Sequence, residues 1–163
     1  MNQEERAIQR DRLRYIKNTA SSSLCYIAIL FDVFFFVSIC KSDVGTYYYN
    51  FLIGIVIVYN LIFMLAVFLA SEGVKNYIRN YSFLLIAAGI GQIIRIFIIP
   101  IRAHSEMTVV NGVETLVMHN GQFIRVVIYL VLSSVCLIAA AAINLYKCRE
   151  LSEHQKTVAA QIA

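Results

Sequence analysis

The sequence YSFLLIAAGIGQIIRIFIIPI, residues 81–101, decides how the rest of the chain has to fold. Its length and hydrophobicity suit a transmembrane helix, which needs about 20 consecutive apolar residues. Gln92 and Arg95 nevertheless lie near its middle. An arginine at the centre of a membrane helix costs roughly 2.5–3.5 kcal/mol on insertion scales. We therefore expect the other helices to supply polar partners at the same depth.

The composition places the chain in a membrane. Of its 163 residues, 60% are hydrophobic and 15% are charged, and the mean hydropathy is +0.70. A soluble domain of this length has too much surface for its volume to hide so many apolar side chains. Apolar runs such as residues 27–36 do not alternate with polar residues, as membrane β-strands would. The fold class we predict is an all-α membrane protein.

The chain contains three further apolar stretches. Together with residues 81–101, they predict a four-transmembrane-helix bundle over residues 19–146. The spans are residues 24–40, 51–70, 81–101 and 123–146. A basic segment, residues 1–18, precedes the bundle, and a polar tail, residues 147–163, follows it. We expect the first span to be retained, because Asp32 interrupts it and no small-x-small cleavage site follows.

The distribution of basic residues predicts the orientation. One side of the bundle has ten of them: Arg6, Arg10, Arg12, Arg14, Lys17, Lys75, Arg79, Lys147, Arg149 and Lys156. The opposite side has three: Lys41, Arg102 and Arg125. Because Lys and Arg accumulate in cytoplasmic loops, both termini are predicted to be cytoplasmic, in a plasma (cytoplasmic) membrane.

The basic N-terminal segment has two interpretations. A surface helix there would be attracted to anionic lipid by about 1 kcal/mol per basic residue close to the headgroups. Alternatively, the charges only fix the N-terminus in the cytoplasm, and we favour this second interpretation. The residues concerned are Arg6, Arg10, Arg12, Arg14 and Lys17.

The loop between the third and fourth spans predicts an extracytoplasmic β-hairpin over residues 105–118. Asn111 and Gly112 stand between two β-rich flanks, which is typical of a type I′ turn. Such a two-residue turn sets Val110 opposite Val113. An isolated two-stranded hairpin is marginal in water, so we expect it to lie on the membrane, the bundle or a partner. The partner-contact candidates are Val109, Asn111, Gly112 and Val113.

Polar residues recur at the centre of every predicted span. With a rise of about 1.5 Å per residue, they all fall within about one turn of the midplane. Helical side chains tilt toward their own N-terminus, so Arg95 leans back toward the depth of Asp32. Unpaired charges in hydrocarbon are expensive, and these two should therefore contact each other or water. The candidates for a substrate or ion site are Asp32, Asn60, Gln92, Arg95, Ser133 and Ser134.

This polar layer leaves two alternatives open. It is either a site for a substrate, an ion or a proton, or a buried ion pair that orients the bundle. Interhelical hydrogen bonds in membranes average only about 0.6 kcal/mol. In the second alternative, the polar layer would therefore orient the helices more than it would stabilise the bundle. The sequence weighs the two about equally.

Enzymatic chemistry has little support in the sequence. His104, His119 and His154 fall on both sides of the predicted membrane. The four cysteines form no CxxC pair, and a glycine-rich phosphate loop is absent. We expect no catalytic site, metal or cofactor. The net charge of +4 is concentrated at helix ends, so we expect no nucleic-acid binding either.

Two functions remain after these exclusions. The first is a non-catalytic subunit, sensor or partner-binding component of a membrane complex, and the short soluble segments favour it. The alternative is a small oligomeric transporter or channel subunit that uses the midplane polar site. In either case we expect the lipid bilayer, and a second copy or a larger membrane protein, as partners.

Overall fold

Long helices make up most of the computed structural model, which describes residues 17–40, 47–110 and 113–162. In chain order the elements are α1 (Thr19–Cys40), α2 (Tyr47–Lys75), α3 (Arg79–Ile98), α4 (Pro100–Ser105), β1 (Met107–Val110), β2 (Val113–Leu116) and α5 (Asn120–Ile162).

Four helices in the described part of the chain are long and apolar enough to cross a membrane. Many of their large apolar side chains point away from the protein. Ile62 and Phe97, for example, are both 63% exposed. Lipid is the solvent that favours such a surface, because exposed apolar area of this extent is unfavourable in water. The chain thus fits a membrane-embedded protein, and the prediction of four long apolar helices is confirmed.

The helices differ from the predicted spans mainly at their ends. α1 begins five residues before the predicted residue 24, and α2 extends the predicted residues 51–70 in both directions. α5 continues from the membrane into the polar tail within one helix. Polar residues can extend a helix beyond the bilayer, and hydropathy marks only the part that lies within it.

The predicted span 81–101 is divided near its end. α3 stops at Ile98, and Pro100 opens the short helix α4 at its first position. Proline has no N–H group to donate to the preceding turn, but it is well tolerated where a helix begins. Ile99 joins the two helices, and its N–H donates to the Arg95 carbonyl at 3.1 Å.

Glycine is the residue that most often ends a helix in the left-handed conformation, but Gly73 does not do so in the turn between α2 and α3. Gly73 lies inside α2, and Tyr77 instead has the positive φ, 59°. The N–H of Ile78 donates to the Gly73 carbonyl, as in a Schellman motif. Glycine is required at position 73 for packing, because a Cβ there would overlap the Tyr81 ring.

α5 is the central helix of the bundle and packs along both α1 and α3, while α2 packs chiefly on α1. Two apolar clusters form the core. The larger contains Cys25, Ala28, Phe63, Val67, Ala70, Val74, Leu85, Leu137, Ala140 and Ala141. The smaller, nearer the hairpin, contains Phe35, Ile39, Val56, Val126 and Leu130. On α1 and α2, the polar residues Asp32 and Asn60 lie between these two clusters.

β1 and β2 pair as antiparallel strands, with Val110 opposite Val113. The predicted turn residues, Asn111 and Gly112, lie outside the described part of the chain. The base of the hairpin is buried, since Met118 is fully covered in a small cluster with Ala103. The strands are thereby attached to α4 and to the start of α5.

Candidate functional site

A buried ion pair joins α1 to α3 at the centre of the bundle. Nη1 of Arg95 lies 3.0 Å from Oδ1 of Asp32, and Nε2 of Gln92 donates to the same oxygen at 3.1 Å. Gln92 and Arg95 are three residues apart on α3, so helical periodicity places them on one face. The sequence-based prediction that Asp32 and Arg95 lie at one depth agrees with this contact.

α2 contributes to the same site through Asn60, whose Oδ1 accepts a hydrogen bond from Nη2 of Arg95. Two aromatic rings flank the guanidinium. Its carbon lies 4.1 Å from the ring centroid of Phe35 and 4.8 Å from that of Tyr59. Desolvated cation–π contacts of this kind contribute about 2 kcal/mol or more. Arg95 is therefore held by α1 and α2 as well as by its own helix.

We call Asp32, Asn60, Gln92 and Arg95 the midplane cluster. None of the four is more than 3% exposed. Removing two charges from water costs several kcal/mol per ion, and their attraction offsets that cost only with good geometry and further hydrogen bonds. The amides of Gln92 and Asn60 supply such bonds, one to each member of the ion pair.

Three polar atoms of the cluster still lack a hydrogen-bond partner within the described protein: Oδ2 of Asp32, Nδ2 of Asn60 and Nε of Arg95. They comprise one acceptor and two donors on three different helices. A group that could both donate and accept hydrogen bonds would match them chemically. Most buried polar groups in proteins have a partner, so these three mark the part of the site with unused binding capacity.

A groove of about 230 Å³ reaches this site from the surface between α2 and α3. Its lining consists mainly of apolar side chains and ends at Arg95: Ile55, Val56, Tyr59, Gly91, Ile94, Arg95, Ile98 and Ile99. Gly91 lets the Tyr59 hydroxyl approach α3 closely, because a Cβ at position 91 would lie only 3.1 Å from that hydroxyl.

Ser133 and Ser134 do not join the midplane cluster, although the sequence places them at the same depth. Ser133 donates to the Ala28 carbonyl at 3.1 Å, and Ser134 donates to the Gly89 carbonyl at 2.8 Å. These bonds require close approach of the backbones of α1 and α3 to α5, which small residues permit. The two serines connect helices and lie outside the candidate site.

A second buried polar cluster lies where α1 begins, and the sequence-based reasoning did not identify it. Nδ2 of Asn18 donates to Oδ1 of Asn144 at 3.1 Å, and Nδ2 of Asn144 donates to the Ser82 hydroxyl at 2.8 Å. All three residues are fully buried. The N–H of Asn18 also donates to the Lys75 carbonyl, so this cluster ties the start of α1, the end of α2 and the start of α3 to α5.

Oδ1 of Asn18 also accepts a hydrogen bond from the N–H of Ser21 at 3.4 Å, as a helix-capping side chain does. The signal for the larger cluster was Asn144, a lone amide between the apolar run 135–143 and the polar tail. We call the end of the bundle at Asn18 and Asn144 the tail end, and the opposite end the hairpin end.

The remaining predicted residues are distributed over the surface or are not described. Val109 is 66% exposed on β1, and Lys17 is exposed just before α1. Val113 begins β2. Arg125 is exposed at the hairpin end, where Nε donates to the carbonyl of Gly121 in its own helix. The other lipid-surface candidates lie outside the described residues: Arg6, Arg10, Arg12 and Arg14.

Within residues 17–40, 47–110 and 113–162, no three side chains of His, Cys, Asp or Glu are grouped closely enough to hold a metal ion. The four cysteines are free thiols; Cys25 is buried and Cys40 is exposed. No protein-family model, curated protein sequence or solved structure matches this chain. The interpretation of its function therefore depends on the geometry described above.

Proposed function

We propose that this chain is a non-catalytic integral membrane protein that acts as a partner-binding subunit or sensor in a membrane complex. The observation that carries the proposal is the ion pair between Asp32 and Arg95. These two groups contact each other inside one bundle, and each is hydrogen-bonded to a neighbouring amide: Asp32 to Gln92 and Arg95 to Asn60. Their charges orient the helices, and recognition is left to the surface of the protein.

A coupled transporter needs a carboxylate that exchanges its counter-ion or proton during each cycle. Arg95 is not readily displaced from Asp32, because α1 and α2 each place an aromatic ring on its guanidinium. Separating the pair would leave two buried charges without compensation, at a cost of several kcal/mol. A permanent pair suits a scaffold better than a carrier.

We place both termini in the cytoplasm and the hairpin outside a plasma membrane, following the positive-inside rule. The hairpin offers a surface for the partner. Cross-strand register puts Val109 opposite Glu114, and Met107 opposite Leu116, on one face of the pair. Met107 and Val109 are each 66% exposed, so the face combines apolar area with one carboxylate.

The partner that this face suits is the extracytoplasmic part of a larger membrane protein. Photocrosslinking from position 109 tests the proposal. A benzophenone amino acid replacing Val109 should give a discrete crosslinked protein band in cells. The matched control replaces Ile62, which is 63% exposed on α2 and faces lipid in the proposed arrangement. Equal protein crosslinking from both positions, or none from position 109, would contradict a partner at the hairpin.

A second candidate function is transport, and the three polar atoms without partners in the midplane cluster favour it. The apolar groove between α2 and α3 would give a small ligand access to Arg95. This function requires Asp32 and Arg95 to separate while a ligand moves. Loss of both charges would then abolish activity in a protein that still folds, whereas a structural pair can be replaced as a unit.

A further inference from the structure

A large groove lies at the tail end of the bundle. It has a volume of about 890 Å³ and runs between the start of α3 and the part of α5 beyond Leu145. Tyr77, in the turn before α3, closes one side of it. Neither the midplane cluster nor the hairpin contributes to this groove.

The groove is positively charged at the end farther from the bundle. Arg79, Arg149 and Lys156 line it, and Glu153 is its single carboxylate among the described lining residues. Oε1 of Glu153 lies 3.2 Å from Nε of Arg149, which offsets one of the three cations. The side chains of Arg79 and Lys156 leave an excess of positive charge that is exposed to the groove.

The other end of the groove is apolar and aromatic. Phe83 lies one turn into α3 and is 54% exposed, and Tyr146 on α5 is 71% exposed. The guanidinium carbon of Arg79 lies 5.9 Å from the ring centroid of Phe83, so the basic and apolar parts adjoin. Tyrosine near basic residues is typical of the boundary between acyl chains and headgroups.

The start of α3 adds to the positive character of the groove. Ile78 occupies the N-cap position and makes no side-chain capping bond. The first N–H groups of the helix therefore keep their hydrogen-bonding capacity, and the helix dipole favours an anion nearby. This effect supports the three basic side chains, which carry most of the charge.

We propose that this groove binds one anionic phospholipid. The phosphate would lie between Arg79, Arg149 and Lys156, and an acyl chain would pass along Phe83 and Tyr146 into the bilayer. Charge-assisted hydrogen bonds from arginine to phosphate are among the strongest that proteins make, and basic pockets between membrane helices bind lipid headgroups. The site joins α3 to α5, so an occupied groove would hold the polar extension of α5 at the membrane surface.

The adjoining apolar wall favours a lipid over a free phosphate compound. A soluble anion would contact only the basic end and would leave Phe83 and Tyr146 unused. The bilayer also supplies anionic lipid at high local concentration on the surface where the groove opens. The chemistry shared by both ligands is a phosphate group, and an experiment can distinguish them.

Native mass spectrometry of the full-length protein in a mild detergent tests the proposal. Phosphatidylglycerol should bind with a measurable preference over phosphatidylcholine of the same chain length. Each basic residue close to an anionic headgroup contributes about fivefold to the affinity, so the double variant R79Q/K156Q should lose roughly 25-fold in affinity for phosphatidylglycerol. The matched control, Arg125→Gln, removes an exposed arginine at the hairpin end and should bind as the wild type does.

Equal loss in Arg125→Gln and in R79Q/K156Q would overturn the site, as would unchanged binding in the double variant. If inorganic phosphate or ATP competes fully with phosphatidylglycerol at millimolar concentration, the groove is a site for soluble phosphate and the lipid proposal fails. Lys156→Gln alone covers the case in which the double variant does not fold. Lys156 lies on the exposed extension of α5, and this single substitution should still lower the affinity for phosphatidylglycerol about fivefold.

Discussion

Asp32 accepts both of its hydrogen bonds on one carboxylate oxygen, while its second oxygen lacks a partner within the described protein. The sequence predicted that Asp32 and Arg95 share a depth, because rise per residue and side-chain tilt can be read without a structure. It did not predict that Phe35 and Tyr59 flank the guanidinium, since depth does not determine how a helix is rotated about its axis. Burial of Arg95 thus depends on contacts that appear only once α1, α2 and α3 are packed together.

Neutralising the pair separately and together gives the residue-scale prediction. Asp32→Asn leaves Arg95 without its counter-ion, and Arg95→Gln does the same to Asp32. Breaking a buried pair costs roughly 3–5 kcal/mol, and less where water or lipid headgroups reach the charge. The double variant D32N/R95Q should recover much of that loss, which thermal unfolding in detergent can measure as a double-mutant cycle.

The same double variant separates the two candidate functions. A partner-binding subunit should keep both its crosslink from position 109 and its ability to complement a deletion strain. Failure to complement, in a variant that folds and still gives the crosslink, would instead support transport at the midplane cluster. Strictly additive losses of stability would show that Asp32 and Arg95 do not interact.

At the scale of elements, hydropathy located the helices well and their ends poorly. The left-handed residue of the turn after α2 is Tyr77, although glycine is the usual choice there and Gly73 is only four residues away. The preference for glycine in such turns is only statistical. Here Gly73 is needed instead for close packing against the Tyr81 ring. The cluster of Asn18, Ser82 and Asn144 was missed for a related reason: the polar ends of spans look alike in sequence, whichever neighbours they contact.

The packing role of Gly73 leads to a prediction about this turn. Gly73→Ala should lower the unfolding temperature in detergent, because the added methyl group overlaps the Tyr81 ring and forces α3 or the ring to move. We expect a loss of about 1–3 kcal/mol, typical of overpacking. Gly54→Ala is the matched control, as its Cβ would meet no atom within 4 Å and alanine favours helices. Alanine would also be unfavourable if Gly73 were left-handed, but a change at position 81 would not then restore the lost stability. The double variant G73A/Y81A should regain stability if packing against Tyr81 is the cause.

At the scale of the whole molecule, the long helix α5 connects the features described above. Its 43 residues extend for about 64 Å, roughly twice the thickness of a bilayer core. One end begins beside the hairpin, the middle bonds to α1 and α3 through Ser133 and Ser134, and the far end lines the proposed lipid groove. The composition and the apolar runs were sufficient to predict the bundle, but not that a single rigid element joins its two ends.

The orientation of the protein in the membrane decides which compartment each end of the bundle faces. Among the described residues, six basic side chains lie at the tail end and two at the hairpin end: Lys17, Lys75, Arg79, Lys147, Arg149 and Lys156 against Arg102 and Arg125. The positive-inside rule therefore predicts a cytoplasmic tail and an external hairpin. In a cysteine-free background, single cysteines at Glu114 and Ser152 both replace exposed residues, one at each end. An impermeant maleimide added to intact cells should label position 114, and position 152 only after the cells are opened. Labelling of position 152 alone in intact cells would reverse the orientation. It would then move the proposed lipid groove to the outer leaflet, and the partner of the hairpin would have to be sought in the cytoplasm.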